Sequence, residues 1–290
     1  MHLQYSIDEV EPYINWLYFF HTWGFESRFA AIANIHGCDA CRAMWLASFP
    51  EASRGKAAEA MQLHKEAQRQ LRALAADGCH THAVVQIHEC YSNGDDIVLN
   101  NAVLCFLRQQ RPPYLCLADY VRPMAADAAP DHIGLFATCA DADIEQRYAG
   151  EDDYRHLLCQ TLADRLAEAT AELLHLQVRK QIWGYAPDEH LSIAELHAEH
   201  FQGIRPAVGY PSLPDQSINF DLDRILDFAS IGITLTQSGA MRPHAAVSGL
   251  MLSHPEARYF SIGPIGDDQL NDYARRRHMD LDKLRPFLNL

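Results

Sequence analysis

The stretch AVVQIHECYSNGDDIVLNNAVLCFL, residues 83–107, decides the fold class of this chain. Inside it, Asn93-Gly94-Asp95-Asp96 has the composition of a tight turn between two strands. Short apolar runs flank that turn and recur further along the chain. The predicted strands cover 83–87, 97–99, 103–107, 115–120 and 133–139. Because a tight turn joins neighbouring strands only when they run in opposite directions, this stretch predicts antiparallel pairing.

Helical periods lie on both sides of this strand-rich region. Apolar residues between 55 and 77 recur at helical spacing, and Asp77-Gly78 supplies a stop signal. From Leu158 to Leu176 the apolar positions step by three and four, which predicts one long amphipathic helix that ends by Gly184. Shorter helices are predicted at 13–23, which is dense in aromatic residues, at 222–229 and at 267–277.

The C-terminal half adds strands and one irregular segment. Ser192-Ile193-Ala194-Glu195 fits a capping box that opens a short helix. A strand is predicted at 231–236, and 247–252 is predicted to form a hairpin with 258–262. The segment 203–214 is punctuated by proline and glycine, so it is expected to be neither a helix nor a flexible linker.

Strands and helices therefore occur in clusters instead of alternating. This order favours an α+β fold with a mainly antiparallel sheet flanked by helices over a doubly wound parallel sheet. No internal repeat and no convincing linker is found, and residues 1–290 are expected to form a single domain.

Composition excludes several classes of function. The 290 residues include 24 Lys and Arg against 38 Asp and Glu, which gives a formal charge of −14, and 48% of them are hydrophobic. Such a chain can bury a core, but it has no basic field with which to bind nucleic acid or an anionic membrane. The only basic run, Arg275-Arg276-Arg277, ends a predicted helix and is interpreted as compensation of the helix dipole.

The location is predicted to be cytoplasmic. The segment 1–9 has no signal-peptide pattern, and no later stretch has about 18 consecutive apolar residues, so neither export nor a membrane span is expected. Eight cysteines in this length do not form a disulfide scaffold, and the thiols are expected to be reduced.

Common nucleotide and metal motifs are missing. There is no dinucleotide-binding glycine fingerprint, no phosphate-binding loop and no zinc-protease helix. His197 and His200 are three residues apart and are interpreted as exposed positions on a helix. Asp131-His132-Ile133-Gly134 has the wrong spacing for a cobalt-ligating loop and is interpreted as the start of a strand.

Cys38-Asp39-Ala40-Cys41 has the spacing of a metal or redox site, but one such pair is only half of a zinc site. His36, or the imidazoles of Cys79-His80-Thr81-His82, would complete it only through contacts that the sequence does not reveal. Free thiols near a turn are the alternative, and no metal site is predicted.

The stretch most typical of a binding site is Gln202–Pro211. Its prolines fix the backbone and Gly209 permits a tight turn, so Arg205 projects from a stiff loop and can grip a carboxylate. Tyr210, held between Gly209 and Pro211, can present its ring and hydroxyl to a ligand. A rigid surface loop with a salt-bridged arginine is the alternative.

The sequence resembles the reactivation domain of cobalamin-dependent methionine synthase, which binds S-adenosylmethionine. The resemblance covers almost the whole chain in the same order, except for an expanded segment at about 33–53 that contains the cysteine pair. The matching blocks are 16–23 (WLYFFHTW), 115–121 (LCLADYV), 152–154, 163–169 (ADRLAEA), 179–180, 183–186 (WGYA), 203–211 (GIRPAVGYP), 235–236, 240–241, 247–249, 259–260, 268–269 and 272–274.

The resemblance implies a fold, a reaction and partners. In that family the domain docks over the corrinoid of the methionine synthase core after the cobalamin has oxidised to cob(II)alamin. A flavodoxin-type protein then supplies one electron, and S-adenosylmethionine methylates the cobalt. The cofactors implied are S-adenosylmethionine and the cobalamin that the partner carries. No residue of this chain is expected to act as a catalytic acid, base or nucleophile, because the sulfonium is already an activated leaving group.

The resemblance also implies which residues contact the ligands. Arg205 matches the arginine that contacts the donor, Glu168 and Glu199 match acidic residues near its cationic end, and Tyr210 matches the tyrosine that faces the corrinoid. The full set of implied contacts is Asn15, Glu168, Glu199, Arg205, Ala207, Tyr210, Tyr259 and Phe260. Without the family, the two glutamates are ordinary helix-surface carboxylates, and Tyr259-Phe260 is a strand pair.

Four positions depart from the family pattern. Asn15 stands where the family has an aspartate expected to pair with the ammonium of the donor. Gln216 replaces a histidine, Gln237 replaces a glutamate and Gly239 replaces an aromatic residue. Donor affinity is therefore expected to be weaker than in the family.

The length matches the reactivation domain alone, so the chain is expected to be a component of methionine synthase that works in trans on a core, and not a complete enzyme. Two alternatives stay open. One is a non-catalytic module that binds S-adenosylmethionine or a corrinoid protein. The other is a metal- or thiol-dependent protein that uses Cys38 and Cys41.

Overall fold

The computed structural model describes residues 1–125 and 129–288, and in them a curled antiparallel sheet is flanked by helices. The predicted α+β class is confirmed. The strands are β1 (His2–Ser6), β2 (His80–Asn93), β3 (Asp96–Leu99), β4 (Val103–Cys105), β5 (Asp131–Ala140), β6 (Thr234–Leu235), β7 (Met241–Arg242) and β8 (Ala246–Met251). β6 and β7 form a separate two-stranded ladder.

The α-helices vary from one turn to seven turns in length. They are α1 (Ile7–Val10), α2 (Trp16–Thr22), α3 (Asp39–Ala47), α4 (Glu51–Ala76), α5 (Ala142–Gln146), α6 (Asp153–Gln177), α7 (Ile193–His197), α8 (Ile218–Leu226), α9 (Asp267–Arg276) and α10 (Leu281–Leu284). Short 3₁₀ helices cover Glu11–Tyr13, Ser27–Asn34, Leu117–Tyr120, Phe228–Ile231 and Arg285–Phe287, and α6 ends in a π-helical turn at Val178–Ile182. No helix in the described ranges is both long and apolar enough to cross a bilayer.

The long strand β2 organises the main sheet. Along one edge it pairs antiparallel with β1 through 80–84 and with β3 through 90–93, and along the other it pairs with β5 through 81–90. β4 extends the sheet beyond β3, and β8 extends it beyond β5. The predicted turn at Asn93–Asp96 is confirmed, since Gly94 has φ +61° and joins β2 to β3.

The sheet is covered on both faces, which explains the apolar runs that the sequence shows along its central strands. Phe136 and Ala140 of β5 pack in the cluster formed with α4 and α6. Ile133, Leu135 and Ala137 of the same strand point to the opposite cluster, which includes α8. The two clusters hold β5 and β8 in place, and β8 borders the candidate site described below.

Two predicted strands are wrong. Residues 115–120 form one bridge at Cys116 followed by a 3₁₀ helix, because the Asp119 carboxylate accepts the N–H of Cys116 at 2.8 Å and closes a turn. Residues 258–262 form no hairpin with β8. The edge of β8 is already taken by the chain at 204–208, so Ile262 donates its N–H to the carbonyl of Pro211 instead, at 2.9 Å.

Other predicted elements hold with changed bounds. The strand predicted at 231–236 shrinks to Thr234–Leu235, because Gly232 takes φ +83° and ends the preceding 3₁₀ helix. The first aromatic helix begins only at Trp16, because Asn15 caps it. The capping box at Ser192 is confirmed, as is the strand that begins at Asp131. Whether the chain is a single domain stays a prediction.

Candidate functional site

One pocket of about 530 Å³ collects every residue that the sequence assigns to donor or corrinoid contact. It lies between the N-terminal aromatic segment, α6, the end of α7 and the loop 203–212. The predicted residues that line it are Asn15, Glu168, Glu199, Arg205, Ala207, Tyr210, Tyr259 and Phe260. They come from distant parts of the chain, so only the tertiary fold brings them together.

Pairing with β8 positions the loop that carries Arg205. The N–H of Ile204 donates to the carbonyl of Leu252 at 2.9 Å, and the N–H of Leu250 donates to the carbonyl of Pro206 at 3.0 Å. Gly249 makes this close approach possible, because a Cβ atom there would lie 2.3 Å from the carbonyl oxygen of Pro206. The loop is therefore an irregular extra strand, which agrees with the prediction of a rigid segment.

Arg205 is held at the base of the pocket, and its side chain is only 13% exposed. Its guanidinium donates to Glu172 at 3.1 Å and to Nδ1 of His175 at 3.2 Å, and its backbone N–H donates to the hydroxyl of Tyr259 at 2.8 Å. Burial opposes the charged form, but the carboxylate of Glu172 outweighs it and raises the pKa of Arg205. The predicted salt-bridged arginine thus points into a pocket and not to the surface.

His175 supports Arg205 from the core. Burial and the neighbouring guanidinium of Arg205 lower the pKa of His175 well below its ordinary value, so the ring is neutral. Because a guanidinium can only donate, Nδ1 is the acceptor and Nε2 carries the proton toward the hydroxyl of Tyr185, 3.3 Å away. The ring also packs edge-on against Phe201 at 4.9 Å. These contacts fix the direction of the arginine.

Three carboxylates face the pocket. Glu168 and Glu172 lie one helical turn apart on α6, and Oε1 of Glu172 is buried without a hydrogen-bond partner in the described structure. Glu199 follows α7 with φ +59°, and burial raises the pKa of its carboxyl above the ordinary value. The pocket is therefore suited to a ligand with positive charge.

Aromatic rings form much of the remaining wall. Tyr210 is 52% exposed at the pocket mouth, and its hydroxyl donates to Glu168 at 2.7 Å. Burial raises the pKa of the Tyr259 hydroxyl, so it stays protonated and keeps a donor after it accepts from Arg205. Phe260 lies beside it on the same wall.

Asn15 lines the pocket and is also the N-cap residue of α2. Its side-chain oxygen accepts the N–H of Leu17 at 3.2 Å and caps α2. The family resemblance implies that this position contacts the ammonium, but it does not show that Asn15 also caps a helix. Only the side-chain atoms of Asn15 that do not form the cap can contact a ligand.

Part of the pocket lining was not predicted from the sequence. Glu172 is the most important omission, and its position four residues after Glu168 on the same helix was the available signal. His197 was interpreted as an exposed position, but it lines the pocket and its Nε2 lies 3.1 Å from the carbonyl of Tyr13. Further lining residues that were not predicted to contact a ligand include Tyr13, Tyr18, Arg165, Leu196, Phe201 and Pro206.

The arrangement suits a ligand that combines a carboxylate, positive charge and a flat ring. The guanidinium of Arg205 can bind the carboxylate, and the glutamates can face the cationic groups. The aromatic walls can stack against a ring or contact a cation. The chemistry of the donor set therefore fits S-adenosylmethionine.

Comparison with known proteins identifies the family. The model for the vitamin B12-dependent methionine synthase activation domain matches residues 6–278. The chain belongs to this family. It is also similar to a solved structure, the crystal structure of the MetH reactivation domain bound to AdoHcy, with 35% sequence identity and a TM-score of 0.86. That likeness covers 100% of this chain and 90% of the other.

The structure shows the surroundings of two positions, Gly239 and Gln216, at which this chain departs from the activation-domain family pattern. Gly239, which replaces an aromatic residue, takes φ +75°, and a Cβ atom there would lie 2.7 Å from the carbonyl oxygen of Gln216. A larger residue at 239 is therefore incompatible with this backbone. The side chain of Gln216 lies against Gly209 at the base of the tyrosine loop and lines a neighbouring pocket.

The cysteine segment is separate from this pocket. His36, Cys38 and Cys41 come together, whereas Cys79 and His82 do not join them. Arg147 donates to the sulfur of Cys79 at 3.3 Å, and Nε2 of His82 lies 2.8 Å from Asp141. Of the two candidates for a third ligand beside the cysteine pair, the structure therefore places His36 there.

Proposed function

We propose that the chain binds S-adenosylmethionine in this pocket and docks on the corrinoid-bearing part of a cobalamin-dependent methionine synthase. There the bound donor would allow oxidised cobalamin to be methylated again, with one electron from a flavodoxin-type protein. The observation that carries the proposal is the convergence of all eight family-implied residues on one pocket with Arg205 at its base.

The contacts of Arg205 leave room for the carboxylate of the donor. A guanidinium has five N–H donors, and Glu172 and His175 engage only two of its N–H groups. A carboxylate can therefore be bound without breaking the existing ion pair. The neutral ring of His175 keeps the guanidinium aimed at the pocket.

The carboxylates account for the positive groups of the ligand. Among the described residues, Oε1 of Glu172 has no hydrogen-bond partner, and a buried carboxylate oxygen in that state is costly until a donor reaches it. The α-ammonium of the ligand supplies N–H donors for it. Glu168 and Glu199 then face the remaining positive charge of the sulfonium, which cannot donate a hydrogen bond but is attracted by charge.

The adenosyl part fits the aromatic wall. Tyr259 and Phe260 offer two neighbouring rings and a hydroxyl that still has a free donor. The small side chain of Ala207 lets a ligand lie close to the loop backbone. The wall thus provides an apolar surface on which the adenine ring can stack, and few of its polar groups lose water when the ligand binds.

The chain contributes position and not acid–base catalysis. A reduced corrinoid supplies the nucleophile when it is present, and the sulfonium already carries a good leaving group. Arg205 and the glutamates hold the donor in one orientation, which is the main contribution that such a transfer needs. Tyr210, half exposed at the mouth and tied to Glu168, is the residue placed to contact the docked corrinoid.

Methyl transfer tests the proposal. A corrinoid-loaded methionine synthase core without its own activation domain is mixed with this chain, a flavodoxin-type reductant and methyl-labelled S-adenosylmethionine. Label is expected in the corrinoid only when the chain is present. Label that fails to move, although the chain binds the donor, would overturn the reactivation role.

The second candidate is a donor-binding module without reactivation activity. It is favoured by the uncharged Asn15 and by Gln216, which stand where the family has an aspartate and a histidine. Binding without methyl transfer in the same mixture is the result that it predicts.

A further inference from the structure

A second cluster of ligating side chains lies outside the pocket, in the segment 33–53. One atom each from His36, Cys38 and Cys41 lies within 4.8 Å of the other two. All three belong to a single H-x-C-x-x-C stretch of six residues. The proposed donor pocket uses none of them, so they need a separate explanation.

These two cysteines differ from all the others in the chain. Cys38 is exposed and Cys41 is half-buried, and neither forms a disulfide. The remaining thiols are buried, and burial raises the pKa of Cys90 and Cys139 to about 12. The buried cysteines are Cys79, Cys90, Cys105, Cys116, Cys139 and Cys159. Only the H-x-C-x-x-C stretch therefore offers accessible sulfur ligands.

The local backbone holds the two cysteines together. Cys38 is the N-cap of α3, and its sulfur accepts the N–H of Cys41 at 3.4 Å. The helix is anchored behind them, because the ring of Trp45 packs edge-on against Phe49 at 4.8 Å, and Phe49 stacks on Phe29 at 5.3 Å. Cys41 thus lies in the first turn of a packed helix that Cys38 caps, and His36 lies in the chain just before it.

We propose that His36, Cys38 and Cys41 bind one zinc ion. Two thiolates and one imidazole are the ligand types that Zn²⁺ prefers, and a set of three leaves one position of a tetrahedron open. Two thiolates cancel the charge of the ion, so the bound centre is neutral. The open position is the property that separates this site from a closed structural zinc site.

The surroundings indicate what fills the open position. A cavity of about 560 Å³ begins beside the cluster and is lined by Arg42, Lys65, Arg69 and Arg72, in a chain whose net charge is −14. Of these four, only Arg42 has an ion pair among the described residues, with Asp39 at 3.9 Å. A water molecule or a small anion therefore suits the fourth position better than another cationic group.

Metal titration of the metal-free full chain tests the site. Co²⁺ is added first, because a tetrahedral thiolate site gives it strong visible and sulfur charge-transfer bands, and Zn²⁺ is then used to displace it. One ion per chain is expected. Cys38→Ser and Cys41→Ser should each weaken binding at least tenfold, and His36→Gln should weaken it less. His190→Gln removes an exposed histidine far along the chain and should leave binding unchanged.

The outcomes separate this site from the donor pocket. Binding of S-adenosylmethionine is measured on the same variants and is expected to be unchanged, so a failed donor site does not affect the metal result. Cobalt bands that are absent, or that persist in the double variant Cys38→Ser with Cys41→Ser, would overturn the proposal. A Cys38–Cys41 disulfide formed with oxidised glutathione, in a chain that binds no metal, would also overturn it.

Discussion

One carboxylate oxygen of Glu172 accepts a hydrogen bond from the guanidinium of Arg205 at 3.1 Å, while its other oxygen is buried without a partner in the described structure. The pair is mostly buried, with side-chain exposures of 12% for Glu172 and 13% for Arg205. The unpaired carboxylate oxygen of Glu172 can therefore accept a hydrogen bond from a ligand that carries an N–H donor. Glu172 is thus expected to bind the ligand and to hold the arginine that binds it.

Glu172→Gln tests this double role. The variant keeps the shape of the side chain but removes the charge that neutralises Arg205. Affinity for S-adenosylmethionine is expected to fall at least tenfold, about 1.4 kcal/mol, because the ammonium loses its carboxylate. Calorimetric titration measures the change. Stability should also fall, by about 3 kcal/mol, because one member of a buried pair has been removed.

Asp221→Asn is the matched control for that variant. Asp221 forms an ion pair with Arg277 that is equally buried but does not line the pocket. This control should lose stability and keep its affinity for the donor. Equal affinity losses in the two variants would show that Glu172 acts only through stability.

Asn15→Asp is expected to tighten donor binding. The new carboxylate can still accept the N–H of Leu17, and it adds a negative charge to a pocket that receives a cationic ligand. A gain of about tenfold is expected for one additional charge within contact distance. Asn15→Ser keeps a capping side chain without the charge and should show no such gain. A higher melting temperature with unchanged affinity would mean that residue 15 serves only as the helix cap.

The affinity for S-adenosylmethionine should depend on pH through Glu199. Burial raises the pKa of this carboxyl, so its proton begins to compete with the cationic ligand at a higher pH than for an ordinary glutamate. Affinity is therefore expected to fall as the pH is lowered through that raised pKa, and to reach its full value at pH values above it. Glu199→Gln should be weaker at neutral pH and should lose this part of the pH dependence. A variant with the same pH profile as the wild type would exclude Glu199 from ligand contact.

Gly249→Ala should remove the donor site by moving its loop. The added Cβ would lie 2.3 Å from the carbonyl oxygen of Pro206, and both are backbone-bound atoms that cannot rotate away. The chain at 204–208 must therefore separate from β8, with an expected stability loss of about 2 kcal/mol or more and loss of donor affinity. Gly55→Ala is the control, because a Cβ there meets nothing within 4 Å and the residue lies inside α4. That change should stabilise the chain slightly, by about 0.5–1 kcal/mol.

The sequence allowed the antiparallel sheet and the long helices to be predicted because their signals are local. The turn at Gly94 and the apolar stripe from Leu158 to Leu176 each depend on neighbours in sequence. Of the two wrong strands, 115–120 failed because Asp119 closes a local turn on Cys116, and 258–262 failed for a tertiary reason. At 258–262 the apolar pattern is that of a strand, but the edge of β8 that it would pair with is occupied by the loop 204–208.

The site was predictable only in part for the same reason. Arg205 and Tyr210 stand out in the sequence because proline and glycine stiffen their loop. Glu199 and Tyr259 have no local signal, and only the family resemblance selected them. Glu172 was not predicted because its role depends on the ion pair with Arg205, which is 33 residues away in the chain.

Calorimetric titration of the chain with S-adenosylmethionine tests the central claim most directly, with Arg205→Lys titrated in parallel. Lysine keeps the positive charge but cannot reproduce the fork that binds Glu172, His175 and a carboxylate together. We expect one donor per wild-type chain, and at least a tenfold loss of affinity in Arg205→Lys while the melting curve still shows a folded protein. No binding by the wild-type chain, or equal affinity in the two proteins, would contradict the account.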